Sequence, residues 1–304
     1  MDVSIITINY KSHALLEKCI QSIYKQTKDI KFEIIIVDNS CDDNETEIIK
    51  EIFRNNLDIK IIKTDYNLGT SKANNLGALN ASGDYLLFLN NDTILLNNAI
   101  KYLVETAINN HCAAVGSNLL TKDLKPAHSF ICDEYNLKEY KKIHSLFLSL
   151  LTKVKKKRYD YNYKGNDIEI KGYACSATLL VEREKFFSVG KFDESIFMYG
   201  DDPLLCFNLI HKHNEKLFIC GKSKIIHLEG GSDESIYSDF KSLHFVKGPF
   251  VYFCKAYGEE VGKLYLKECR KIYSRRKIIF KLLKRKVQYS NSKKILNAIA
   301  EIES

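Results

Sequence analysis

The stretch Val3-Ser-Ile-Ile-Thr-Ile-Asn-Tyr10 begins a series of short apolar runs, each followed by polar residues. Similar runs occupy residues 32–37, 59–63 and 85–89, and each has the length of a buried strand. Between them apolar residues recur at helical spacing, first at Leu15, Leu16, Cys19, Ile20 and Ile23. Apolar strands that alternate with amphipathic helices predict an α/β fold with a Rossmann-like, doubly wound, mostly parallel sheet covered on both faces.

Polar residues cluster directly after each predicted strand, at 9–10, 38–40, 65–67 and 90–92. The carboxyl ends of parallel strands share one edge of the sheet, and ligands of open α/β sheets bind at that edge. One such cluster would be an ordinary turn. Four clusters at one edge predict a site large enough for a nucleotide.

The positive charge of the chain is concentrated at its C-terminal end. Lys and Arg outnumber Asp and Glu by 46 to 38 over 304 residues, and residues 263–304 alone contain 13 basic and 3 acidic side chains. No recognised nucleic-acid-binding motif accompanies this charge, so we expect no nucleic-acid partner.

The cysteines and the N-terminal segment predict a cytoplasmic protein. None of the nine cysteines has C-x-x-C spacing, and several lie inside apolar runs, as reduced thiols do. The first residues lack a basic region ahead of a long apolar segment, and no apolar run is long enough to span a bilayer. We therefore expect neither a signal peptide nor a transmembrane helix.

Two adjacent carboxylates, Asp201 and Asp202, follow an aromatic and apolar segment that begins at Gly190. Carboxylates near apolar residues are unfavourable unless they have a function, which makes the pair a candidate catalytic site. The alternative is a helix N-terminus, where Asp complements the helix dipole and Pro203 suits the first turn of a helix over 204–210. The two interpretations are compatible.

The rest of the chain has weaker patterns. Residues 121–171 are polar and include a basic run at 153–158, which is either a solvated loop or a mobile flap over an acceptor. Strand patterns return at 174–181, 216–219 and 224–228, and helical patterns follow from Ser238. Residues 272–287 read as one basic amphipathic helix, which would rest on anionic lipid or pack on the core or a second subunit.

Seven stretches carry a resemblance to a known family. They read Thr7-Ile-Asn-Tyr10, Val37-Asp-Asn-Ser40, Asn67-Leu-Gly69 with Asn74-Asn75, Leu89-Asn-Asn-Asp-Thr93, Gly190-Lys-Phe-Asp-Glu194, Phe197-Met-Tyr-Gly-Asp-Asp202, and His227 with Gly231-Ser232. Together and in this order they resemble glycosyltransferase family 2, the inverting nucleotide-sugar transferases of GT-A fold, and within it the rhamnosyltransferase-like branch. The resemblance implies a GT-A catalytic domain over 1–232 and a basic helical extension over 233–304.

The resemblance implies that the first strands hold the nucleotide sugar. The implied contacts are Thr7, Asn9, Tyr10, Asp38, Asn67, Gly69, Asn74, Asn75 and Asn91. A carboxylate at Asp38 suits this role because it can accept the imide N–H of a uracil or thymine ring. The alternative for Asp38 is a turn after a strand, and Asn74 and Asn75 could instead fasten a loop.

Asn90-Asn91-Asp92 falls where the family has its Asp-x-Asp motif, which positions a divalent cation on the donor diphosphate. Asp92 is the only carboxylate of the triplet, and His227 matches the family's late histidine. The resemblance implies that these two bind Mn²⁺ or Mg²⁺, and an imidazole ligand favours Mn²⁺. The alternative for His227 is a histidine at a strand end without a ligand.

Asp201 and Asp202 correspond to the family's Glu-Asp motif, which implies a single displacement with inversion. Asp202 is the implied base for the acceptor hydroxyl, and the neighbouring carboxylate should raise the pKa of the pair. Asp201 is one methylene shorter than the family's Glu, and Leu204 and Asn208 stand where the family usually has Asp and Arg. These departures concern acceptor and donor-sugar specificity more than the reaction class.

These features predict a peripheral or soluble enzyme of bacterial surface-polysaccharide or glycolipid synthesis. It would move a sugar from dTDP-rhamnose or a UDP-hexose to a saccharide or lipid-linked saccharide, in the cytoplasm or on the inner face of the plasma membrane. A sugar-nucleotide nucleotidyltransferase is one alternative, although the first strand lacks a following Gly-rich phosphate loop. A catalytically inactive nucleotide-sugar-binding assembly subunit is the other.

Overall fold

Strands and helices alternate as the sequence predicts. A computed structural model describes residues 1–144, 165–228 and 237–304. The strands are β1 Val3–Asn9, β2 Phe32–Asp38, β3 Ile59–Lys63, β4 Tyr85–Leu89, β5 Thr93–Leu95, β6 Ala114–Leu120, β7 Phe130–Ile131, β8 Ile168–Ile170, β9 Tyr173–Ala174, β10 Thr178–Glu182 and β11 Leu217–His227. The helices are α1 His13–Gln26, α2 Asp43–Ile52, α3 Gly69–Leu79, α4 Ala99–Asn110, α5 Leu137–His144, α6 Arg183–Ser188, α7 Asp201–Phe207, α8 Asp239–Tyr257, α9 Glu259–Leu282 and α10 Lys286–Glu303. A π-helical turn, Asn208–Lys212, continues α7.

The large sheet has the strand order β3-β2-β1-β4-β10-β6-β11-β5, with β8 paired on β11. The four strands β1 to β4 pair in parallel, β11 is parallel to β6, and β10 runs antiparallel between β4 and β6. The predicted α/β fold with a mostly parallel sheet is confirmed. Because Asn9 lies opposite Asp38, and Asp38 opposite Lys63, the polar ends of the first three strands meet at one edge.

Both faces of the sheet are covered, as continuous apolar strands require. On one face, Leu16 of α1 and Leu103 of α4 belong to the same buried cluster as Ile34 of β2. On the other face, Ala73 of α3 and Phe186 of α6 belong to a second cluster. Burial of one Leu, Ile or Phe side chain contributes about 1.5–3 kcal/mol, so these two layers hold the strand ends in place.

Helices α8, α9 and α10 form a third apolar cluster with the segment around the carboxylate pair. Ile196 and Leu204, on either side of the pair, pack in this cluster with Tyr252 of α8, Tyr265 of α9 and Ile299 of α10. The C-terminal helices therefore share a core with the segment that carries the two carboxylates.

Some predictions lie outside the described residues. They are the basic run at 153–158, Gly231-Ser232, and the boundary between 1–232 and 233–304, so this division stays a prediction. No helix in the described part of the chain is both long and apolar enough to cross a membrane.

Two strand predictions were wrong in detail. The run at 174–181 is not one strand, because β9 ends at Ala174 and β10 begins only at Thr178. The runs at 216–219 and 224–228 belong to a single strand, β11, whose pairing with β6 shifts register between Cys220 and Lys224. A bulge leaves the strand continuous while it interrupts the apolar pattern.

The predicted single helix over 272–287 was also wrong. Helix α9 ends at Leu282, Lys284 adopts a left-handed conformation with φ of 55°, and α10 begins at Lys286. Arg276, one of the basic residues of the predicted helix, is buried over the Tyr273 ring. Both helices contribute apolar residues to the third cluster, so the apolar spacing continues from one helix to the next. The sequence pattern therefore does not show the turn between them.

Candidate functional site

The ends of β1 and β2 are joined by a buried hydrogen-bond network. The amide nitrogen of Asn9 lies 3.2 Å from Asp38 Oδ1, 3.2 Å from Ser40 Oγ and 2.9 Å from Glu45 Oε1. Asp38 is fully buried, and it also accepts the Ser40 N–H and the Thr46 hydroxyl. Asp38 thus accepts from three donors and has no exposed surface, so its contact with a nucleotide base stays a prediction.

The remaining strand-end residues surround this network. Thr7 is fully buried in β1, and its hydroxyl has no hydrogen-bond partner within the described ranges. Tyr10 is exposed just beyond β1. Asn91 Nδ2 donates to Ser12 Oγ at 2.7 Å and lies 3.4 Å from Asn9 Oδ1. The structure therefore brings the ends of β1, β2 and β4 into one network.

Glu45 belongs to the same network, although the sequence analysis did not identify it. Its carboxylate accepts from Asn9 and from the His13 backbone N–H, and lies 2.8 Å from His13 Nδ1. Burial would raise the pKa of Glu45, but the hydrogen bonds from Asn9 and His13 outweigh burial and lower the pKa below its usual value. Acidic residues are common in the first turn of a helix, so the sequence does not reveal that Glu45 bonds to Asn9 and His13.

The loop that starts α3 is held between Asn39 and Phe197. Asn39 Nδ2 donates to Asn67 Oδ1 at 2.9 Å, and the same oxygen accepts the Gly69 N–H at 3.0 Å. Gly69 has φ of 73°, and a Cβ at this position would lie 2.5 Å from the Phe197 carbonyl oxygen, so glycine is required here. Thr70 N–H donates to that carbonyl at 2.7 Å.

Asn74 and Asn75 are both buried on α3. Asn75 fastens a loop, which is the alternative that the sequence left open. Its Nδ2 donates to the Phe192 carbonyl at 2.9 Å and lies 3.1 Å from Glu194 Oε1, while its Oδ1 accepts the Phe192 N–H at 3.1 Å. This residue thus ties α3 to the segment that leads to the carboxylate pair, and a direct donor contact by Asn74 or Asn75 stays a prediction.

Asp201 and Asp202 lie in the first turn of α7, so the helix-start interpretation holds alongside the site interpretation. Asp201 is buried, and its Oδ2 accepts the Thr70 hydroxyl at 3.1 Å. Asp202 is half-buried, and its Oδ2 accepts the Ser176 N–H at 3.2 Å. Of the two carboxylates, Asp202 is therefore the more accessible to a substrate.

The surroundings of the pair disfavour ionisation. Burial raises the pKa of Asp202, and the adjacent Asp201 carboxylate raises it further. Burial also raises the pKa of Asp201. Two carboxylates in one poorly hydrated place resist losing both protons, and a carboxylate with a raised pKa is a stronger base. The pair has the electrostatics of a proton acceptor that works near neutral pH.

Asp92 and His227 lie side by side, just after β4 and at the end of β11. Asp92 Oδ1 is 3.1 Å from His227 Nε2, and Asn90 Nδ2 is 3.3 Å from the same ring nitrogen. A carboxylate oxygen and an imidazole nitrogen this close together could both coordinate one Mn²⁺ or Mg²⁺ ion. In the ranges that the structure describes, no three His, Cys, Asp or Glu side chains group to hold a metal, so a cation here would need further ligands from substrate or water.

The turn between β9 and β10 links the carboxylate pair to the Asp–His pair. Ser176 N–H donates to Asp202, and the carbonyl of the next residue, Ala177, accepts the Asn90 N–H at 3.1 Å. The pKa of the Cys175 thiol in this turn is raised first by burial and then by the charges of Asp202, Asp201 and Asp92. The predicted base, Asp202, and Asn90 of the predicted metal-binding triplet are therefore both hydrogen-bonded to this turn. The sequence did not predict this turn, because residues 174–181 form one apolar run.

Comparison with known proteins identifies related sequences. A family model described as Glycosyl transferase family 2 matches residues 4–167. The GalNAc(5)-diNAcBac-PP-undecaprenol beta-1,3-glucosyltransferase of Campylobacter jejuni is 28% identical over 203 residues, which cover 62% of this chain and 62% of the relative. The poly(ribitol-phosphate) beta-N-acetylglucosaminyltransferase TarS of Staphylococcus aureus is 29% identical over 103 residues, which cover 33% of this chain and 18% of the relative.

Among solved structures, GalNAc-T7 with UDP, GalNAc and Mn²⁺ superposes with a TM-score of 0.58 at 17% identity, covering 82% of this chain and 47% of that one. At this identity the likeness shows the fold alone. It supports the predicted GT-A fold.

Proposed function

Since the chain belongs to glycosyltransferase family 2, we propose that it is an inverting, metal-dependent enzyme of bacterial surface-glycan synthesis. It moves a sugar from a nucleoside-diphosphate sugar to a hydroxyl of a saccharide or lipid-linked saccharide. The observation that carries this proposal is the turn at Cys175-Ser176-Ala177, which adjoins both Asp202 and the Asn90-Asn91-Asp92 triplet. A proton acceptor and a diphosphate-binding group within one site are what sugar transfer from such a donor requires.

The chemical step is a single displacement. Asp202 takes the proton of the acceptor hydroxyl while the hydroxyl oxygen bonds to the anomeric carbon. The bond from that carbon to the nucleoside diphosphate breaks on the opposite face. Because the Ser176 N–H occupies Oδ2 of Asp202, we assign Oδ1 as the oxygen that receives the proton. Asp201, held by Thr70, keeps the pKa of its neighbour high.

On the donor side, we propose that Asp92 and His227 hold a divalent cation, with Mn²⁺ preferred. The bound cation would supply positive charge for the departing diphosphate. Asp38 is proposed to accept one base N–H, and the nucleotide lies along the strand ends. The residues proposed to contact or frame it are Thr7, Asn9, Tyr10, Asp38, Asn67, Gly69, Asn74, Asn75 and Asn91.

The names of the relatives guide the choice of donor. They describe glucosyl and N-acetylglucosaminyl transfer, which makes UDP-hexoses the first donors to try. The rhamnosyltransferase-like branch, with dTDP-rhamnose, stays a prediction from the sequence motifs.

Release of nucleoside diphosphate from a panel of UDP-, dTDP- and GDP-sugars with Mn²⁺ tests the proposal. At least one donor should be consumed, and chelation of the metal should stop its consumption. His227→Ala should weaken the response to added Mn²⁺, whereas His111→Ala, which changes a histidine at the end of α4, should not. Formation of pyrophosphate or nucleoside triphosphate would instead support a nucleotidyltransferase, and donor binding without turnover would support an inactive assembly subunit.

We also propose that the turn between α9 and α10 contacts an anionic membrane. In this segment, here called the basic tip (residues 275–286), the side chains of Ile278, Leu282 and Leu283 are 59%, 76% and 58% exposed. No acidic residue occurs between Glu268 and Glu301. Within the described part of the chain, six cations of the basic tip form no ion pair: Arg275, Lys277, Lys281, Lys284, Arg285 and Lys286. Each cation near an anionic bilayer contributes about 1 kcal/mol of attraction, and the exposed leucines add apolar burial.

Point substitutions test the membrane contact, because removing α9 would also remove the buried Tyr265 from the core. Leu282→Ser with Leu283→Ser should reduce sedimentation with phosphatidylglycerol vesicles. Leu57→Ser, which changes a fully exposed leucine elsewhere, is the control and should not. Equal sedimentation of the two variants would reject the basic tip as a membrane contact.

A further inference from the structure

A cavity of about 270 Å³ lies between the loop that starts α3, the segment before the carboxylate pair, and α8. Drug-sized ligands occupy pockets of about 300–1,000 Å³, so this cavity suits a group the size of one sugar. It adjoins the strand ends, because two of its lining residues, Asn67 and Leu68, are hydrogen-bonded to Asn39. None of the predicted donor residues except Asn67 lines it.

Aromatic rings form one wall of this cavity. The Phe197 and His244 rings stack at 4.6 Å with an interplanar angle of 27°, and Phe240 packs against His244 at 4.5 Å. Tyr66, which lines the cavity from the opposite loop, is 62% exposed, and the Phe197 and His244 rings are half-buried. Large aromatic side chains bury considerable apolar area when they are covered, so their open faces suit the C–H face of a sugar ring.

Two lysines, Lys72 and Lys247, also line the cavity, and no carboxylate in the described ranges lies within ion-pair distance of either. The nearby Asp193 is already paired with Lys255. Glu194 lines the cavity too, and its carboxylate accepts the Asn75 amide. Two ammonium groups without partners attract a multiply charged anion, and a phosphate provides several acceptor oxygens.

The cavity wall and the proposed base belong to one continuous piece of structure. The Thr70 hydroxyl lies 3.0 Å from the Phe197 carbonyl and 3.1 Å from Asp201 Oδ2. On the other side, Gly248 of α8 packs against the Tyr199 carbonyl so closely that a Cβ at Gly248 would overlap it. A group bound in the cavity is thereby held at a constant position relative to the carboxylate pair.

We propose that this cavity binds the acceptor, and that the acceptor carries a phosphate beside its sugar or polyol. The phosphate lies between Lys72 and Lys247, and the ring or polyol packs on Tyr66 and His244. This inference rests on the proposed function, because it assigns the acceptor of that reaction. The phosphate would come either from a polyol-phosphate polymer or from a lipid-linked sugar diphosphate.

Calorimetric binding to the full chain without any donor tests the cavity separately from catalysis. The probes are ribitol 5-phosphate against ribitol, and N-acetylgalactosamine on a prenyl diphosphate against the same sugar as a neutral prenyl glycoside. Hydrogen bonds to charged groups are strong enough that the phosphate-bearing member of one pair should bind about tenfold tighter or better. The pair that shows this preference identifies the source of the phosphate.

Substitutions locate the binding within the cavity. Lys72→Met with Lys247→Met should abolish the phosphate preference, and Tyr66→Ala should weaken binding of the favoured probe. The control, Lys122→Met with Lys125→Met, removes two exposed cations after β6 and should retain the preference. The dissociation constant for the donor should be the same in all of these variants.

Three results would overturn the proposal: equal binding of phosphate-bearing and neutral probes, a preference that survives loss of both cavity lysines, or a tenfold loss of donor binding in that variant. Failure of the proposed function has a different signature, since the probes would bind as described while no donor was consumed. Transfer to acceptors without any phosphate preference would leave the proposed function intact and reject the cavity assignment alone.

Discussion

The proposed donor edge, formed by the ends of β1, β2 and β4, and the proposed acceptor side, formed by Asp202 and the cavity beside α8, differ in how their polar side chains are bonded. At the donor edge, Asn9, Asp38 and Glu45 are buried and bonded to one another. On the acceptor side, Asp202 is half-buried and the two cavity lysines form no ion pair in the described ranges. A buried polar group lowers the stability of the fold unless it is hydrogen-bonded, whereas a partly exposed group can be hydrated until a ligand binds.

This difference indicates that the donor edge is organised before the substrate arrives, and that the acceptor side is completed by it. Substitutions at the donor edge should therefore lower stability. Substitutions of polar side chains on the acceptor side should lower activity or acceptor affinity and leave stability unchanged or improved.

The largest effect should come from Asp202→Asn. A general base contributes about 10²–10⁴-fold to the rate, so kcat for transfer should fall by about that factor. The melting temperature should not fall, because the Asn oxygen can still accept the Ser176 N–H. Initial rates with the best donor and a thermal melt measure the two quantities. Wild-type kcat in the variant would remove Asp202 from the role of base.

Asn9→Ala should have the next largest effect. The substitution leaves the buried carboxylates of Asp38 and Glu45 each short of a donor, so the free energy of unfolding should fall by about 2–4 kcal/mol. Asn80→Ala, at the exposed end of α3, is the control and should change it by less than about 0.5 kcal/mol. Urea titrations measure both variants. Similar losses in the two would show that the donor edge is not a stabilising network.

Gly248→Ala tests the contact between α8 and the segment before the carboxylate pair. A Cβ at Gly248 would overlap the Tyr199 carbonyl, and such overpacking costs about 1–3 kcal/mol of stability. Because the displaced backbone carries Asp202, kcat should fall as well. Gly262→Ala is the matched control, since its Cβ would press on Cys254 between α8 and α9, away from the carboxylates. It should lower stability and preserve kcat, and a parallel loss of kcat in both would contradict the assigned contact.

The smallest effect concerns Asp201→Asn and pH. Because burial raises the pKa of Asp201 in the folded state, the protonated form suits the fold, and stability is lost as pH rises from the ordinary carboxyl pKa towards the raised value. Asn cannot ionise. The Asp201→Asn variant should therefore be about as stable as the wild type at pH 4 and more stable than the wild type at pH 8. A gain of 1 kcal/mol would raise the melting temperature of a domain this size by about 2–4 °C.

The same substitution should move the pH–rate profile. The raised pKa of Asp202 makes activity fall as pH drops towards and below it, and without the Asp201 charge this acid limb should shift to lower pH. Asp65→Asn changes an exposed aspartate in the loop after β3 and should leave both the melt and the limb unchanged. An acid limb that does not move would show that the Asp201 charge does not act on the base.

The strand ends were largely predictable, because apolar runs and the polar residues after them are local in the sequence. Parallel pairing then brings Asn9, Asp38 and Asn91 to one edge whatever the details of packing. Glu45 was not predictable in the same way, since its bonds to Asn9 and His13 cross from one strand–helix unit to another. The turn at Cys175-Ser176-Ala177 was hidden because an apolar run looks the same whether it is one strand or two.

By itself, the sequence determined the α/β fold, the family, the polar edge and the candidacy of Asp92, Asp201, Asp202 and His227, because each depends on a local pattern or a motif. Only the tertiary structure decided which of these groups adjoin one another. It bonded Asp202 and Asn90 to the same turn and packed α8 against the segment before the carboxylates. It also left Lys72 and Lys247 beside one cavity, although they lie 175 positions apart in the chain. Contacts between distant segments arise from burial of shared apolar surface, and no short stretch of sequence records which surfaces will meet.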